Sequence, residues 1–178
     1  MHDEALIKQA QNGDARAFEQ LLGACYDTLY KFAYKWCGNR EDAEDVTQQA
    51  CLKLARSIGQ FRFDAAFTSW LYRLVINCAK DWSKSQRRLT HADDIDQHAD
   101  IAGDGEAAEN KVLAWQVLVK LDSFPDGIKE TILLVHAEGL THGEAAKILG
   151  VKESTVSWRL HEARKTLNLL FEQGAVYD

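Results

Sequence analysis

The sequence predicts an all-α protein of two small helical domains, and three observations carry that prediction. Proline occurs once in 178 residues, while Ala, Leu, Lys, Glu and Gln abound, which favours helices. Apolar residues recur at three- and four-residue intervals in two separate blocks. Between the blocks, residues 91–110 lose that periodicity and turn acidic, as a connector does. The expected boundaries are therefore 1–90, 91–110 and 111–178, each block large enough for a packed core.

The opening MHDEALIKQAQNGDA lacks both the basic and the apolar part of a secretion signal. Phe18, Leu21, Leu22, Cys25, Leu29, Phe32, Ala33 and Trp36 then give one wide apolar helix face, ended by Gly38-Asn39. Asn39 can cap a following helix, whose first turn sets Glu41 and Asp42 beside the positive end of its dipole. That helix is expected to reach about Ile58, with Ala43, Val46, Ala50 and Leu54 inward and Glu41, Asp45, Gln48, Gln49 and Leu52 outward. An acidic-amide face repels phosphate and suits a basic protein partner; a solvated surface is the generic reading. A further helix starts near Ala66 or Thr68 and runs through Trp70, Leu71, Leu74, Val75 and Cys78 to about Ser83. The first block thus reads as a three- or four-helix bundle.

The run from Phe61 to Trp70, FRFDAAFTSW, concentrates aromatics around a loop, and Tyr72, Arg73, Asn77, Lys80, Asp81, Trp82, Lys84, Arg87 and Arg88 follow it. Rings stack on unstacked bases, amides read base edges and cations neutralise phosphate, so single-stranded DNA fits this stretch. Core packing of Phe67, Trp70, Leu71 and Leu74 is the competing assignment. By position and charge the loop, Asn77, Lys80, Trp82 and Arg87-Arg88 stand nearest DNA.

Cys25, Cys37, Cys51 and Cys78 are too widely spaced for a zinc site and lie within or beside apolar helices, so buried free thiols are expected. In the acidic stretch, His91, Asp93, Asp94, Asp96 or His98 offer metal-binding groups, but their spacing matches no recognised loop and a solvated linker is expected. Helical periodicity resumes with Val112, Trp115, Leu118 and Leu121, breaks at Phe124-Pro125, and returns from Ile128 to Val135.

The segment Leu140–Arg164, LTHGEAAKILGVKESTVSWRLHEAR, has the anatomy of a helix-turn-helix. Thr141 and Glu144 match a capping box; Ala145, Ile148 and Leu149 form an apolar stripe that stops at Gly150. In the second helix Val156, Leu160, Ala163 and Leu167 share one face, with Trp158, His161 and Lys165 opposite. A buried stripe backed by a polar-aromatic face suits a helix lying in a major groove. An ordinary two-helix corner would show the same stripe.

The formal charge of −6 looks wrong for a DNA binder until it is divided along the chain. Thirteen basic against eleven acidic side chains give the first block a small positive balance, while all seven charges of residues 91–110 are acidic. Charge thus permits local DNA contacts but argues against strong non-specific binding by the chain alone. No glycine-rich phosphate loop, zinc-ligand cluster or nucleophile signature is present, so neither an enzyme nor a cofactor is expected. No apolar run is long enough to cross a membrane, and a cytoplasmic location is expected.

These residues resemble a known family. The blocks YKFAYKWCGNREDAEDVTQQACLKL and FRFDAAFTSWLYRLVINCAKDWSKSQRR are similar to region 2, and ILLVHAEGLTHGEAAKILGVKESTVSWRLHEARKTL to region 4, of bacterial extracytoplasmic-function sigma factors of the sigma-70 family. The resemblance implies a promoter-specificity subunit, nucleoid-associated when bound to RNA polymerase. Its implied partners are the polymerase core, through the beta-prime clamp helices and the beta flap, promoter DNA, and an anti-sigma factor. It assigns core binding to Asp42, Glu44, Asp45, Gln48 and Gln49. It assigns −10 DNA to Arg62, Asp64, Phe67, Asn77, Lys80, Trp82, Arg87 and Arg88, with a flipped base held by the Arg62–Phe67 loop and the helix through Asn77.

For −35 DNA the resemblance implies Thr155, Ser157, Trp158, His161, Glu162 and Lys165, while Arg159 and Arg164 match other elements of the pattern. Ser157 and Glu162 stand where basic residues are frequent, which implies an atypical or weakly bound −35 sequence. The linker acids Asp93, Asp94, Asp96 and Asp100 are expected to follow a path toward the RNA exit channel, or to act as a passive spacer. A dimeric DNA-binding regulator and a sigma-like decoy are the alternatives, the first requiring symmetric half-sites.

Overall fold

The computed structural model describes residues 3–90, 121 and 124–174, with the side chains of residues 87–90 and 169–174 outside that description. The chain forms two compact units, Met1–Trp115 and Gln116–Asp178, and the regular structure of the described residues is helical. The acidic connector with its metal-binding groups, and the periodicity from Val112 to Leu118, lie outside the described residues.

The first unit opens with a helix that apolar periodicity does not announce. Helix α1 (Glu4–Gln11) buries just Ile7 and Ala10, too short a stripe to stand out. Its sequence marks are local: the Asp3 carboxylate accepts from the Ala5 N–H at 2.9 Å, and Glu4 pairs with Lys8 at 2.6 Å. Asp14 then caps α2 (Ala15–Cys37) by accepting from the N–H groups of Arg16 and Ala17. Along α2, Leu21, Cys25, Leu29, Phe32 and Ala33 have no solvent exposure. Gly38, at φ +79°, ends the helix in the left-handed conformation and returns its N–H to the Tyr34 carbonyl.

Asn39 caps α3 (Arg40–Ser57), accepting from the Asp42 N–H at 2.9 Å. Ala43, Val46, Ala50 and Leu54 are buried as their spacing requires, and Thr47 joins them because its hydroxyl donates to the Ala43 carbonyl. A 3-10 turn, Ile58–Gln60, leads to the aromatic loop. Helix α4 (Phe67–Thr90) continues past the expected stop near Ser83, because no glycine or proline interrupts residues 84–90. Its buried positions include Leu71, Leu74, Val75, Cys78 and Ala79. Helices α2, α3 and α4 pack on one another, and α1 rests on α2 and the 3-10 turn. Two contacts fix α4 against α2: Tyr72 meets Phe32 edge-on at 5.7 Å, and the Trp36 indole donates to the Ser83 hydroxyl at 3.0 Å.

In the second unit the uninterrupted helix expected from Ile128 to Val135 is instead α5 (Ile128–Ile132) followed by a π-helical turn, Leu133–Ala137. The widened turn lets the Glu138 N–H reach the Leu133 carbonyl before Gly139, at φ +71°, ends the element; apolar spacing alone does not distinguish such a turn from an α-helix. Helix α6 (His142–Leu149) has the expected capping box, with Thr141 and Glu144 bonded reciprocally. These bonds from the Thr141 hydroxyl and backbone hold the Glu144 carboxyl below its ordinary pKa. Gly150 ends α6 at φ +67°, and α7 (Glu153–Gly174) buries Val156 and Ala163 against the unit's core.

All four cysteines are free, but only Cys25 and Cys78 are buried; Cys37 and Cys51 are half-buried, which corrects the expectation of four buried thiols. Cys37 is the last residue of α2, and Cys51 flanks the inward Ala50 instead of sharing its direction. Among the described residues no three His, Cys, Asp or Glu side chains form a metal-binding group, and no helix is long and apolar enough to cross a membrane.

Burial, reinforced by the neighbouring Cys51, pushes the Cys25 thiol up to about 12. A folded-state pKa above the unfolded one favours the neutral thiol in the fold, so this contribution is complete below the ordinary value of 9.0 and is lost as pH rises toward about 12. Urea unfolding between pH 8 and pH 11 should therefore show alkaline destabilisation of the first unit that Cys25→Ala reduces. An identical pH dependence in the two proteins would reject the assignment.

Candidate nucleic-acid and protein interfaces

The outer side of α3 presents Glu41, Glu44, Asp45, Gln48, Gln49 and Leu52 to solvent, with Leu52 47% exposed among the polar groups. Of the proposed core-binding residues, Asp45, Gln48 and Gln49 are exposed. Glu44 is exposed too but is paired with Arg40 at 2.7 Å. Asp42 is half-buried, and its carboxylate accepts from the Asn39 side chain at 2.6 Å, so it serves the helix cap. Asp42 thus lies in the first turn, as its position beside the dipole predicts, with its carboxylate engaged at the cap.

A neighbouring surface was not singled out from the sequence: Tyr26, Tyr30 and Tyr34 form a ladder along α2, with centroid spacings of 6.3 and 6.2 Å. The Glu44 hydrogen bond and charge raise the Arg40 pKa, and Tyr30 and Tyr26 add to it, so the ladder borders the first turn of α3. The spacing of four residues was the available signal.

The aromatic loop is organised around the buried Phe61. Its ring lies 4.8 Å from Phe63, 5.1 Å from Phe67 and 5.6 Å from Trp70. Phe67, expected at −10 DNA, is 7% exposed and stacks on Trp70, so it supports the loop from within. Arg62 and Asp64 are exposed. Phe63 is half-buried and holds φ +61°, a left-handed conformation that costs a non-glycine residue about 1–3 kcal/mol and marks a functional candidate.

A surface cleft of about 490 Å³ opens beside the loop, lined by Glu4, Ile7, Phe63, Ala66 and Thr68 among others. Along α4, Arg73, Asn77 and Asp81 recur every fourth residue and are exposed, with Lys84 on the same side and Lys80 half-buried. Trp82 is half-buried, and its indole N–H is enclosed without a hydrogen-bond partner among the described residues. Arg87 and Arg88 are helical in α4, with side chains outside the description.

Sequence patterns passed over two residues that act on the loop. The Gln11 amide donates to the Ile58 carbonyl at 2.9 Å and the Phe61 carbonyl at 2.8 Å, and the Lys8 ammonium lies 5.3 Å from the Phe63 ring centroid. Both come from α1, separated from the loop by about fifty residues of chain.

On α7, Ser157, Trp158, His161 and Lys165 are exposed, and Trp158 is 57% exposed. Thr155 is half-buried near the helix start. Glu162, also half-buried, lines a groove of about 150 Å³ with Trp158, Thr166, Phe124, Pro125 and Ile128, so its position is less outward than expected. The Ser157 hydroxyl lies 3.0 Å from His142 Nδ1, joining the two helices of the motif. Arg159 turns inward: its guanidinium packs against Gly127 and donates to the Thr131 hydroxyl at 3.4 Å. Gly127 stands at φ +95°, and the guanidinium occupies the space a Cβ would need.

The chain matches the family models Sigma-70 region 2 over residues 21–89 and Sigma-70, region 4 over residues 121–167. It is 30% identical over 176 residues to an ECF RNA polymerase sigma-E factor of Haemophilus influenzae, covering 93% of each chain. Its fold is similar to that of CnrH, solved in complex with the cytosolic domain of CnrY: TM-score 0.68, 26% identity, and 96% and 97% of the two chains covered. The fold is also similar to that of the sigma factor RpoE from Bartonella quintana, solved with the anti-sigma factor NepR: TM-score 0.61, 21% identity, and 89% and 98% covered.

The seat of Arg159 separates stability from surface chemistry in the second unit. Gly127→Ala is expected to destabilise that unit by about 1–3 kcal/mol, because it strains the backbone and displaces the guanidinium. His161→Ala, on the exposed face, should stay within about 0.5 kcal/mol. Amide hydrogen exchange of α5 and α7 measures both, and unchanged protection in Gly127→Ala would reject the contact.

Proposed function

The chain belongs to the extracytoplasmic-function class of the sigma-70 family, sigma factors that direct RNA polymerase to promoters and are not enzymes, and from that premise we propose how its two units share the work. The region 2-like unit docks on the polymerase through α3 and holds the opened −10 strand through the aromatic loop and α4. The region 4-like unit reads the −35 duplex with the outer face of α7. The boundaries near residues 90 and 111 belong to this proposal.

The observation that carries the reading is the coexistence, in one unit, of two surfaces with different chemistry. Asp45, Gln48 and Gln49 around Leu52 form a face that phosphate avoids, and its apolar centre with a polar rim suits a protein. The loop and α4 instead offer Arg62, Arg73, Asn77 and a strained aromatic tip. Stacking on a protein ring is worth roughly 1–3 kcal/mol per base, comparable with the few kcal/mol needed to extrude one. A handful of such contacts stabilises an opened strand but does not open a promoter alone, so the polymerase supplies the remaining grip.

On α7, Ser157, Trp158, His161 and Lys165 meet the major groove, with Thr155 and Glu162 at its margin. Arg159 holds the fold. A third partner is an anti-sigma factor, as the family resemblance implies; CnrH, of similar fold, was solved with a protein partner, the cytosolic domain of CnrY.

Run-off transcription with purified core polymerase and a promoter library tests the reading. Asp45→Lys should weaken core affinity by roughly tenfold or more, because it reverses a charge inside the interface. Asn77→Ala should leave core affinity intact and reduce promoter opening. Absence of core association would defeat the proposal, core association without a specific transcript would favour a decoy, and symmetric half-site binding without polymerase would favour a dimeric regulator.

A further inference from the structure

The loop that would receive the strand is held in its shape by α1. Phe63 keeps an unfavourable left-handed backbone between two anchored ends: the Phe61 N–H bonds the Ile58 carbonyl, and the Ser69 N–H bonds the Ala66 carbonyl. Gln11 grips the first anchor, spending its amide hydrogens on the Ile58 and Phe61 carbonyls at 2.9 and 2.8 Å. Lys8 lies over the Phe63 ring and is itself steadied by Glu4. Glu4 and Ile7 complete the cleft beside the loop.

We propose that α1 is a working part of the strand-capturing apparatus, with Gln11 as the positioning residue that fixes the loop entrance and Lys8 as the cation that steadies its aromatic tip. The inference rests on the reading of this loop as the −10 contact. Gln11 touches no base: it keeps Phe63 in its strained conformation and the cleft open before DNA arrives, so the ordering cost falls on folding and not on binding. An unbraced loop can relax at Phe63, and an extruded base then meets no preformed surface.

The test uses holoenzyme assembled from the full chain and core polymerase, with single-stranded −10 oligonucleotides carrying an abasic site at each position in turn. The wild type is expected to show one position where removing the base weakens binding at least about fivefold. Gln11→Ala should shrink that penalty to under about twofold, with core affinity unchanged, whereas Gln11→Lys, which keeps a donor toward the same carbonyls, should recover part of it. Lys8→Met should show an intermediate penalty.

A purely structural α1 would lower binding of intact and abasic strands alike and leave the penalty whole, which would overturn the proposal. Where Gln11→Ala fails to load on core, Gln11→Glu, of the same shape but facing the carbonyls with an acceptor, is read by the same ratio. An unchanged penalty in Gln11→Glu also overturns the proposal. A wild type without any abasic-sensitive position, together with a silent Asn77→Ala, would defeat the −10 reading itself and this inference with it.

Discussion

The stripe that α2 buries is the constraint from which the rest of the first unit follows. Leu21, Cys25, Leu29, Phe32 and Ala33 lose all solvent contact, and α1, α3 and α4 each pack on this helix. Once those positions are committed inward, 3.6-residue periodicity leaves little freedom for the neighbours. Helix α3 must turn Ala43, Val46, Ala50 and Leu54 toward the stripe and therefore Asp45, Gln48 and Gln49 away from it. Helix α4 must bury Leu71, Val75 and Cys78 and so present Arg73 and Asn77. The proposed protein face and strand face are thus outer sides of helices whose inner sides were chosen by one core.

Periodicity made the large elements readable from sequence and left the irregular ones unread. Phe18 through Trp36 repeat for about five turns, which no loop imitates, and Thr141, Glu144 and Gly150 mark their helix by specific hydrogen bonds. Helix α1 escaped because only Ile7 and Ala10 of its eight residues turn inward, too short a stripe to make a pattern, although Asp3, Glu4 and Lys8 marked it chemically. The π turn at Leu133–Ala137 escaped because one extra residue per turn leaves the apolar spacing nearly intact. At the site, outward positions such as Asp45, Asn77 and Trp158 followed from the opposite face of each stripe. Phe67 and Asp42 did not: whether an aromatic at a helix start stacks outward or inward depends on Phe61 and Trp70, and whether an acid near a cap is free depends on Asn39.

Charge places a limit on what either unit achieves alone. The overall balance of −6 gives little long-range attraction for a polyanion, and α3 actively repels one. The proposed contacts to an opened strand would therefore depend on arrival by another route, with the strand delivered to the loop by a larger assembly. The balance suits a subunit whose affinity for promoters should appear only on the polymerase.

The inward turn of Arg159 has a consequence for how such a protein changes over time. Arg159 of the proposed reading helix is committed to Gly127 and Thr131, while Trp158, His161 and Lys165 are exposed. On the proposed reading, Trp158, His161 and Lys165 choose the DNA sequence and Arg159 holds the helix in place, with Ser157, bonded to His142, serving both. Under that proposal, substitutions at Trp158, His161 or Lys165 would redirect the chain toward new promoters at little expense in folding, so duplicated copies would diverge in target without first acquiring compensating changes in their cores.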